Sequence, residues 1–416
     1  MKKKSLAVLG VALATALAMT GCGSTTPSDS SGNERVTVKY SNFISNGGNE
    51  KNLDAIVQSF EKANPNITVE VSTLPYSDYA TALQTDLAAG TQADTFDIEY
   101  ANLSAFVADG VLAPLDGVED SKYKQSLLES YQSDGKQYAL PSSFSDVVLY
   151  YNKDLFDAAG VDYPSSNWTW ADETAAAKKI TNVQAGVFGD FQNVSFYEFY
   201  KVLAQTGGKF LNDDGKSVAF NSPAGIRAAQ WLADKSGTTM PTTAQGAGTA
   251  DFDTQLFKDG KLGMLHSGTW IVSSFAETNA NWDIAVEPGD TQKASAVFSN
   301  AIGVSSSSKN KEAAQKWAEY MTSSEIMAQT RITSGWELPP TSDETVLQQY
   351  LTQGKPDNRQ AVFDALIDVV NPPVIGANQQ QMADIVTNAL GEIEAKRSSA
   401  GDALKDAESQ INALLN

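Results

Sequence analysis

The sequence predicts an α/β protein, because short segments typical of β-strands alternate with longer segments of helical spacing. Residues 36–40 alternate apolar and polar side chains, as a half-buried strand does. The next segment carries apolar residues at i, i+3, i+4 and i+7 of a helix, at Leu53, Ile56, Val57 and Phe60. Asn64 and Pro65 end that helix.

The same alternation continues along the chain. Further strands are expected at residues 67–71, 97–100, 137–141, 147–151, 262–265 and 282–286. Tyr79, Leu83 and Leu87 mark a second helix. Thr169 and Asp172 form a capping box that starts a helix, the pair 222–223 (Ser-Pro) starts another, and residues from about 310 onward are mostly helical. The length of 416 residues predicts roughly two domains.

Composition excludes several classes of protein. With 30 Lys and Arg against 50 Asp and Glu, the formal net charge of −20 argues against a nucleic-acid-binding protein. One cysteine, Cys22, and one histidine, His266, exclude an intrachain disulfide and a Cys/His zinc cluster. Phosphate-loop, dinucleotide-binding, nucleophile-elbow and zinc-protease motifs are absent from the sequence. We therefore predict no catalytic residue, metal or cofactor, and interpret His266 as structural.

The N-terminus predicts export and lipid attachment. Lys2, Lys3 and Lys4 precede an apolar run at residues 6–19 that is shorter than a membrane-spanning helix, as in a secretory signal peptide. Residues 17–22 (LAMTGC) resemble a bacterial lipobox, in which Cys22 receives the lipid and becomes the mature N-terminus. The alternative is an unmodified cysteine in the signal peptide. Residues 1–21 are thus a predicted signal peptide, and residues 22–35 a lipidated cysteine with a polar, flexible tether.

Four loops at expected strand ends combine aromatic rings with small polar side chains: residues 41–46, 100–102, 142–146 and 268–270. A sugar presents C–H faces that pack on aromatic rings and hydroxyls that need polar partners. Ligands of open α/β sheets bind beyond the carboxyl ends of the strands, where most of these loops are expected. The loops therefore indicate a carbohydrate site.

Four stretches of the chain resemble, in their order and spacing, the extracellular solute-binding proteins of ABC transporters. They are residues 60–69, residues 97–116, residues 135–156 with 168–170, and residues 257–270. The third is the most specific, with GKQYALP, LYYNKDLF and WTW in succession. The resemblance is to the carbohydrate-binding, maltose-binding-protein-like group and extends from about Val36 to the C-terminus.

The resemblance implies two α/β lobes joined by a hinge around a ligand cleft, the periplasmic-binding-protein-like fold. The implied N-terminal lobe is 36–146 plus 304–341, and the C-terminal lobe is 147–303 plus 342–416. The chain would cross between them near Asp146, Ser305 and Thr341. A ligand that contacts both lobes favours the closed form, which a membrane permease would recognise.

The resemblance also implies ligand-binding roles for individual residues of this chain, assigned by their aligned positions. Trp270 matches the cleft tryptophan that stacks on a sugar ring, and Tyr100 and Asn102 match an aromatic and a polar ligand group. Ser145, beside Asp146, and Ser195 replace acids of maltose-binding protein, which suggests a ligand other than maltose. The remaining candidates lie on binding loops or beside the cleft: Asn42, Phe43, Asn46, Tyr76, Tyr197 and Trp336.

Each candidate also has a purely structural interpretation. Asn42, Asn46 and Asn102 are also suited to helix caps, and Tyr76 to a turn after Pro75. Trp270 and Trp336 have packing as the alternative. For Ser145, Asp146, Ser195 and Tyr197 the alternative is a solvated loop.

The implied function is a monomeric, non-enzymatic sugar-binding lipoprotein, with an oligosaccharide preferred. It would be anchored through Cys22 on the extracytoplasmic face of the membrane, with ABC permease subunits as partners and no nucleic acid. The alternatives are the same fold with a non-sugar solute, or a surface-anchored glycoside hydrolase.

Overall fold

The computed structural model describes residues 35–275, 278, 280–376 and 378–415. The predicted signal peptide and Cys22 lie outside these residues. Within them, no helix is long and apolar enough to cross a membrane.

The described residues form an α/β structure. The strands are β1 (Val36–Asn42), β2 (Ile67–Thr73), β3 (Thr95–Glu99), β4 (Gln132–Ser133), β5 (Lys136–Gln137), β6 (Ala139–Asn152), β7 (Met264–Gly268), β8 (Trp282–Ala285), β9 (Ser295–Val304) and β10 (Val369–Val370). The helices are α1 (Glu50–Ala63), α2 (Tyr76–Ala89), α3 (Leu103–Ala108), α4 (Gln125–Glu129), α5 (Lys153–Ala159), α6 (Trp170–Ile180), α7 (Phe196–Gln205), α8 (Pro223–Asp234), α9 (Thr243–Gly246), α10 (Phe252–Lys258), α11 (Lys311–Ser323), α12 (Glu325–Ser334), α13 (Glu344–Gln349), α14 (Gln360–Ala365), α15 (Gln379–Glu394) and α16 (Ala400–Leu415).

Most of the predicted elements are confirmed. Thr169 caps α6 with the full capping box, and the Ser222 hydroxyl caps α8. The strand predicted at 262–265 begins two residues later, because Leu262 pairs only as an isolated bridge to Phe188 before β7 starts.

The main sheet has the strand order β2-β1-β3-β9-β6-β7, with β8 also paired to β6 and β10 to β9. β1 pairs in parallel with β2 and β3, whereas β9 is antiparallel to β3 and β6. We call the part built on β1, β2 and β3 the N-terminal lobe and the part built on β7 and β8 the C-terminal lobe.

β6 and β9 connect the two lobes. All 14 residues of β6 are buried; its first half pairs with β9 from Ala139 to Asp146, and its second half pairs with β7 and β8. The sequence analysis expected a loop at residues 142–146 between two strands, and that expectation was wrong. The polar residues Ser142, Ser143 and Ser145 obscured the strand, although each is fully buried in it.

Each lobe has its own apolar core. In the N-terminal lobe, the fully buried Trp317 of α11 packs edge-on against Tyr40 and Phe60, with ring centroids 5.5 and 5.3 Å away. In the C-terminal lobe, α7, α8, α15 and α16 enclose a cluster that includes Phe199, Leu232 and Leu404. Burial of these rings and aliphatic chains stabilises each lobe through the hydrophobic effect.

A buried network of charged side chains connects three helices of the C-terminal lobe to its sheet. We call it the ion network; its members are Glu173, Asp190, Glu198, Lys201, Lys235, His266 and Glu287. Lys201 Nζ lies 2.6 Å from both Glu198 Oε2 and Glu287 Oε1, and His266 Nδ1 lies 2.6 Å from the same Glu287 oxygen. Because each buried charge faces an opposite one, the network fixes the positions of α6, α7 and β7 relative to one another.

The ion network also determines the protonation state of His266. Burial alone would lower the pKa of His266, but the carboxylates of Glu173 and Asp190 outweigh it and hold that pKa well above its ordinary value. In return, the Lys235 and His266 charges hold the pKa of Asp190 below its usual range, against the opposing effect of burial. His266 is therefore a buried cation of the ion network. The sequence indicated a structural role for this residue but not its charge.

We expect His266→Gln to reveal this cation as pH-dependent stability. Folding favours the protonated ring, so its contribution is fully present below about pH 6.5, the pKa of an unfolded-chain histidine, and is lost as the pH rises through the folded-state pKa. The variant should lose about 3 kcal/mol of unfolding free energy below that pH and less in alkaline solution, measured by urea denaturation. A loss that is the same at every pH would contradict this assignment.

Candidate functional site

Trp270 lies at the carboxyl end of β7, in a 3₁₀ turn that spans Thr269–Phe275. Its side chain is 37% exposed, and its ring centroid lies 5.4 Å from that of Phe298, edge-on. The indole covers Gly268 so closely that a β-carbon there would lie 1.9 Å from Trp270 Cζ3. Only glycine therefore allows this position of an exposed aromatic face.

The turn that carries Trp270 is held by β6. The backbone N–H of Thr269 donates to Ser145 Oγ over 3.0 Å, and the two hydroxyls lie 2.7 Å apart. The Tyr150 hydroxyl donates to the carbonyl of Gly268 over 2.8 Å. Ser145 is fully buried beneath this turn. It therefore supports the backbone that carries Trp270.

Aromatic side chains of the N-terminal lobe form the facing wall. Phe43 follows β1 and packs edge-on against Tyr76, with ring centroids 5.3 Å apart. Tyr76 is 51% exposed, and its hydroxyl donates to Glu99 Oε1 over 3.0 Å. Tyr100, directly after β3, packs edge-on against Tyr131 at 6.3 Å. This wall therefore combines exposed ring surface with a carboxylate.

Asp97 fixes the loop that carries Phe43. Its carboxylate accepts hydrogen bonds from the backbone N–H groups of Phe43 and Ile44, over 3.1 and 3.2 Å, and from the Tyr40 hydroxyl over 2.7 Å. Complete burial raises the pKa of Asp97 to about 7, although these hydrogen bonds oppose the shift. The loop after β1 is thus anchored to β3.

The two walls meet across a cleft. Tyr197, at the start of α7, lies 6.2 Å from Phe298, centroid to centroid, and so adjoins the Trp270 side. Although half of the Tyr76 side-chain surface is exposed, desolvation of its hydroxyl raises the pKa of Tyr76 well above its usual value, and Glu99 and the Tyr197 hydroxyl add to that effect. Tyr197 and Tyr76 are therefore close neighbours, although they belong to different lobes.

Hydrogen bonds also join the rims of the lobes. Asn49 Nδ2 donates to Ser273 Oγ over 3.1 Å, and Ser274 Oγ donates to the carbonyl of Gly47 over 3.2 Å. We call these two bonds the rim latch. They connect the loop before α1 to the turn after Trp270, so the structure is a closed form of the cleft.

Several of the predicted residues are buried rather than exposed to the cleft. Asn42 is fully buried; its amide donates to Thr73 Oγ1 and its carbonyl accepts from Ser45. Trp336 is 1% exposed, and its Nε1 donates to the carbonyl of Ile44. Both residues shape the loop that carries Phe43, and neither offers its polar group to a ligand in this form.

Asp146 lies in the middle of β6. It is fully buried in β6, and both carboxylate oxygens are without a hydrogen-bond partner. Burial raises the pKa of the Asp146 carboxyl well above its usual value, and the nearby charge of Glu287 adds to the shift.

The remaining candidates lie at the ends of helices. Asn46 is exposed on the loop after β1. Asn102 precedes α3 and Ser195 precedes α7, and neither makes a side-chain capping hydrogen bond. Asn102 therefore does not have the capping role that was its alternative. For Ser195 the alternative was a solvated loop, and the structure places it at the N-cap position of α7.

Glu173, Asp190 and His266 place one ligand atom each within 4.8 Å of one another, a spacing that a metal could use. However, Lys235 Nζ contacts Glu173 and lies 2.6 Å from Asp190 Oδ2. An ammonium group therefore already neutralises these carboxylates, and the donors do not fit a metal site.

Sequence reasoning missed three contributors to the cleft: Glu99, Phe298 and Ser273. Glu99 was available as the last residue of the strand before Tyr100. Phe298 lies in β9, whose mixture of serine, alanine and asparagine did not predict a strand. Ser273 had no sequence signal, because its role depends on the approach of the opposite lobe.

Fold and cleft together define a two-lobe α/β binding protein. The family of bacterial extracellular solute-binding proteins matches residues 55–353, and a binding protein of Brucella abortus is 30% identical over 87% of this chain and 89% of its own. The chain belongs to this family.

Two further comparisons agree with the assignment. A maltooligosaccharide ABC transporter solute-binding lipoprotein of Streptococcus pneumoniae is 28% identical over 77% of each chain. An ABC substrate-binding protein of Listeria monocytogenes, solved in complex with cycloalternan, is 39% identical, covers 92% of this chain and 99% of its own, and superposes with a TM-score of 0.87.

We expect the support of Trp270 to be measurable as stability. Ser145→Ala leaves the buried N–H of Thr269 without an acceptor and should lower the unfolding free energy by about 2 kcal/mol, measured by urea denaturation. Ser142, equally buried in β6, has no hydrogen-bond partner for its Oγ, so Ser142→Ala is the matched control and should cost nothing or stabilise. Equal losses in both variants would contradict the supporting role of Ser145.

Proposed function

We propose that this protein is the sugar-binding lipoprotein of an ABC importer and that it captures an oligosaccharide between its lobes. The observation that carries the proposal is the pairing of the exposed Trp270 face with aromatic rings and Glu99 on the opposite wall. Aromatic faces pack on the C–H surfaces of a sugar ring, and carboxylates and amides accept and donate to its hydroxyls. The relatives of this chain include a maltodextrin-binding and a galactooligosaccharide-binding protein of Bacillus subtilis, which supports the same class of ligand.

The proposed contacts fall into two groups. Rings that would contact the sugar are Phe43, Tyr76, Tyr100, Tyr197, Trp270 and Phe298. Polar side chains that would bond its hydroxyls are Asn46, Glu99, Asn102 and Ser195. Asn42, Ser145, Asp146 and Trp336 would act behind these groups, because each is buried and holds or adjoins the backbone that presents them.

The proposed mechanism is closure without covalent chemistry. A ligand that touches both walls makes its full set of contacts only in the closed form, so it shifts the open and closed populations toward closed. Permease subunits in the membrane would recognise that form. The proposed lobe boundaries remain those given by the family resemblance, with the hinge passing near Asp146, Ser305 and Thr341.

We further propose that Cys22 carries the lipid and that the protein is a monomer on the extracytoplasmic face of the membrane. A lipoprotein among the named relatives supports this placement. The acidic chain would be repelled by anionic headgroups, so attachment depends on the lipid chains.

Calorimetric titration with oligosaccharides tests the proposed function. Trp270→Ala should weaken sugar binding by about tenfold, since one stacked ring contributes about 1 kcal/mol or more beyond its buried area. Trp168→Ala is the matched control: this half-buried tryptophan packs on Phe156 in the C-terminal lobe and should leave affinity unchanged. Failure of the unmodified protein to bind any saccharide would refute the sugar ligand, and release of shorter products would indicate a glycoside hydrolase instead.

The rim latch gives a separate prediction about closure. Asn49→Ala removes the bond to Ser273 and should weaken sugar affinity about fivefold, because a neutral hydrogen bond contributes about 1 kcal/mol to the closed form. Small-angle scattering should show a larger radius of gyration for the variant without ligand and the same radius at saturation. An unchanged sugar affinity together with an unchanged radius of gyration without ligand would contradict the assignment of Asn49 to closure.

A further inference from the structure

A second concave site lies in the C-terminal lobe, between residues 191–194 and residues 240–253. It has a cavity volume of about 300 Å³, the lower end of the range for small-molecule sites. Phe191 and Phe252 face each other edge-on across it, with ring centroids 6.5 Å apart, and both are half-buried. We call it the side pocket.

One wall of the side pocket is rigid. Phe191 is bonded to β7 on both sides: its N–H donates to the carbonyl of Met264 and its carbonyl accepts from the N–H of His266, both over 3.0 Å. Gln192 is tied into the ion network, since its Nε2 donates to Glu198 and its Oε1 accepts from Lys235, both over 2.7 Å. The wall is therefore pre-formed, which lowers the entropy cost of binding.

The opposite wall is built so that Phe252 can point inward. A β-carbon at Gly246 would lie 2.8 Å from Phe252 Cδ1, so glycine leaves room for the ring. Thr243 is bonded through its N–H and hydroxyl to Glu394 of α15, over 3.0 and 2.8 Å, which holds the loop to the lobe. Asp251 has a left-handed φ of 52° at the edge of the pocket, a strained backbone of the kind that binding sites retain.

The chemistry of the side pocket matches a neutral, polyhydroxylated ligand. Two rings supply apolar faces, and Asn193, Asp251 and Asp253 supply an amide and two carboxylates for hydroxyl groups. The residues that line it include neither lysine nor arginine, so it has no partner for an anionic ligand.

The side pocket and the cleft adjoin through one short segment. Val194 lines the pocket and packs against the core cluster that also holds Tyr197 and Phe298 at the edge of the cleft. On the other side, the N–H of His266 in β7 is bonded to Phe191, and Trp270 follows only four residues later in the chain. The side pocket and the cleft are therefore connected through residues 194–197 on one side and residues 266–270 on the other.

We propose that the side pocket is a second subsite, which holds the distal sugar units of an oligosaccharide whose first units occupy the cleft. The proposal rests on the proposed function and defines its substrate class more narrowly, as chains longer than two units. Trp270 and the facing wall bind the units common to all ligands, and Phe191 and Phe252 select for length.

The test compares matched short and long saccharides by calorimetry on the full-length protein in detergent. The probes are maltose with maltohexaose, arabinobiose with arabinohexaose, and galactobiose with galactotetraose. In the series that binds, the long member should bind more tightly than the short one. Phe252→Ala should weaken the long member about tenfold and leave the short one unchanged. Gly246→Ala, which pushes the Phe252 ring into the pocket, should have the same selective effect.

Controls separate this proposal from the proposed function. Tyr163→Ala removes a 39% exposed ring bonded to Asp157 and should not change either affinity. No saccharide binding by the unmodified protein would refute the proposed function itself. Binding without a gain for the longer chain, or equal losses for both lengths in Phe252→Ala, would overturn the second subsite alone. Saturable spermidine binding that Asp253→Asn abolishes, with long-chain affinity unchanged, would also overturn it.

Discussion

The antiparallel pairing of β6 with β9 is the interaction on which the rest of the structure depends. β6 pairs with β9 over Ala139 to Asp146 and then continues into the C-terminal lobe, where it pairs with β7 and β8. Over Asn300–Val304, β9 is at the same time bonded on its other side to β3 of the N-terminal lobe. Because backbone hydrogen bonds must be satisfied throughout a buried strand, neither strand can detach from one lobe without losing bonds in it. Motion between the lobes must therefore bend or twist these two strands.

This arrangement explains why the cleft residues lie where they do. Tyr100 directly follows β3, Phe298 lies within β9, and Trp270 follows β7, so each is fixed by a strand that is paired to β6 or β9. Side chains that act on the ligand are held by others that never meet it: Ser145 under the Trp270 turn and Asp97 under the loop of Phe43. The ion network provides the same rigidity for α7 and Tyr197.

The sequence predicts the α/β class, most strands and several helix caps, because these depend on local spacing and on local hydrogen bonds such as the Thr169 capping box. Prediction from the sequence failed where polar residues are buried. Ser142 to Asp146 have loop-like composition, yet they lie in a strand whose 14 residues are all buried. Likewise, Asn42 and Trp336 have the right residue types for a sugar site, but tertiary contacts use their polar groups. Tyr76 and Tyr197 face each other across the lobes, and Asn49 is bonded to Ser273. Neither contact can be predicted from neighbouring residues in the sequence.

The rim latch has a kinetic consequence for a protein that must release what it binds. Two neutral hydrogen bonds of about 1 kcal/mol each bias the empty protein toward closure by no more than about thirtyfold. Neither bond is a salt bridge, and domain motions about such hinges occur in microseconds to milliseconds. The empty protein therefore reopens often enough to admit the next ligand, and the residence time of a bound sugar is determined by the contacts of the sugar itself.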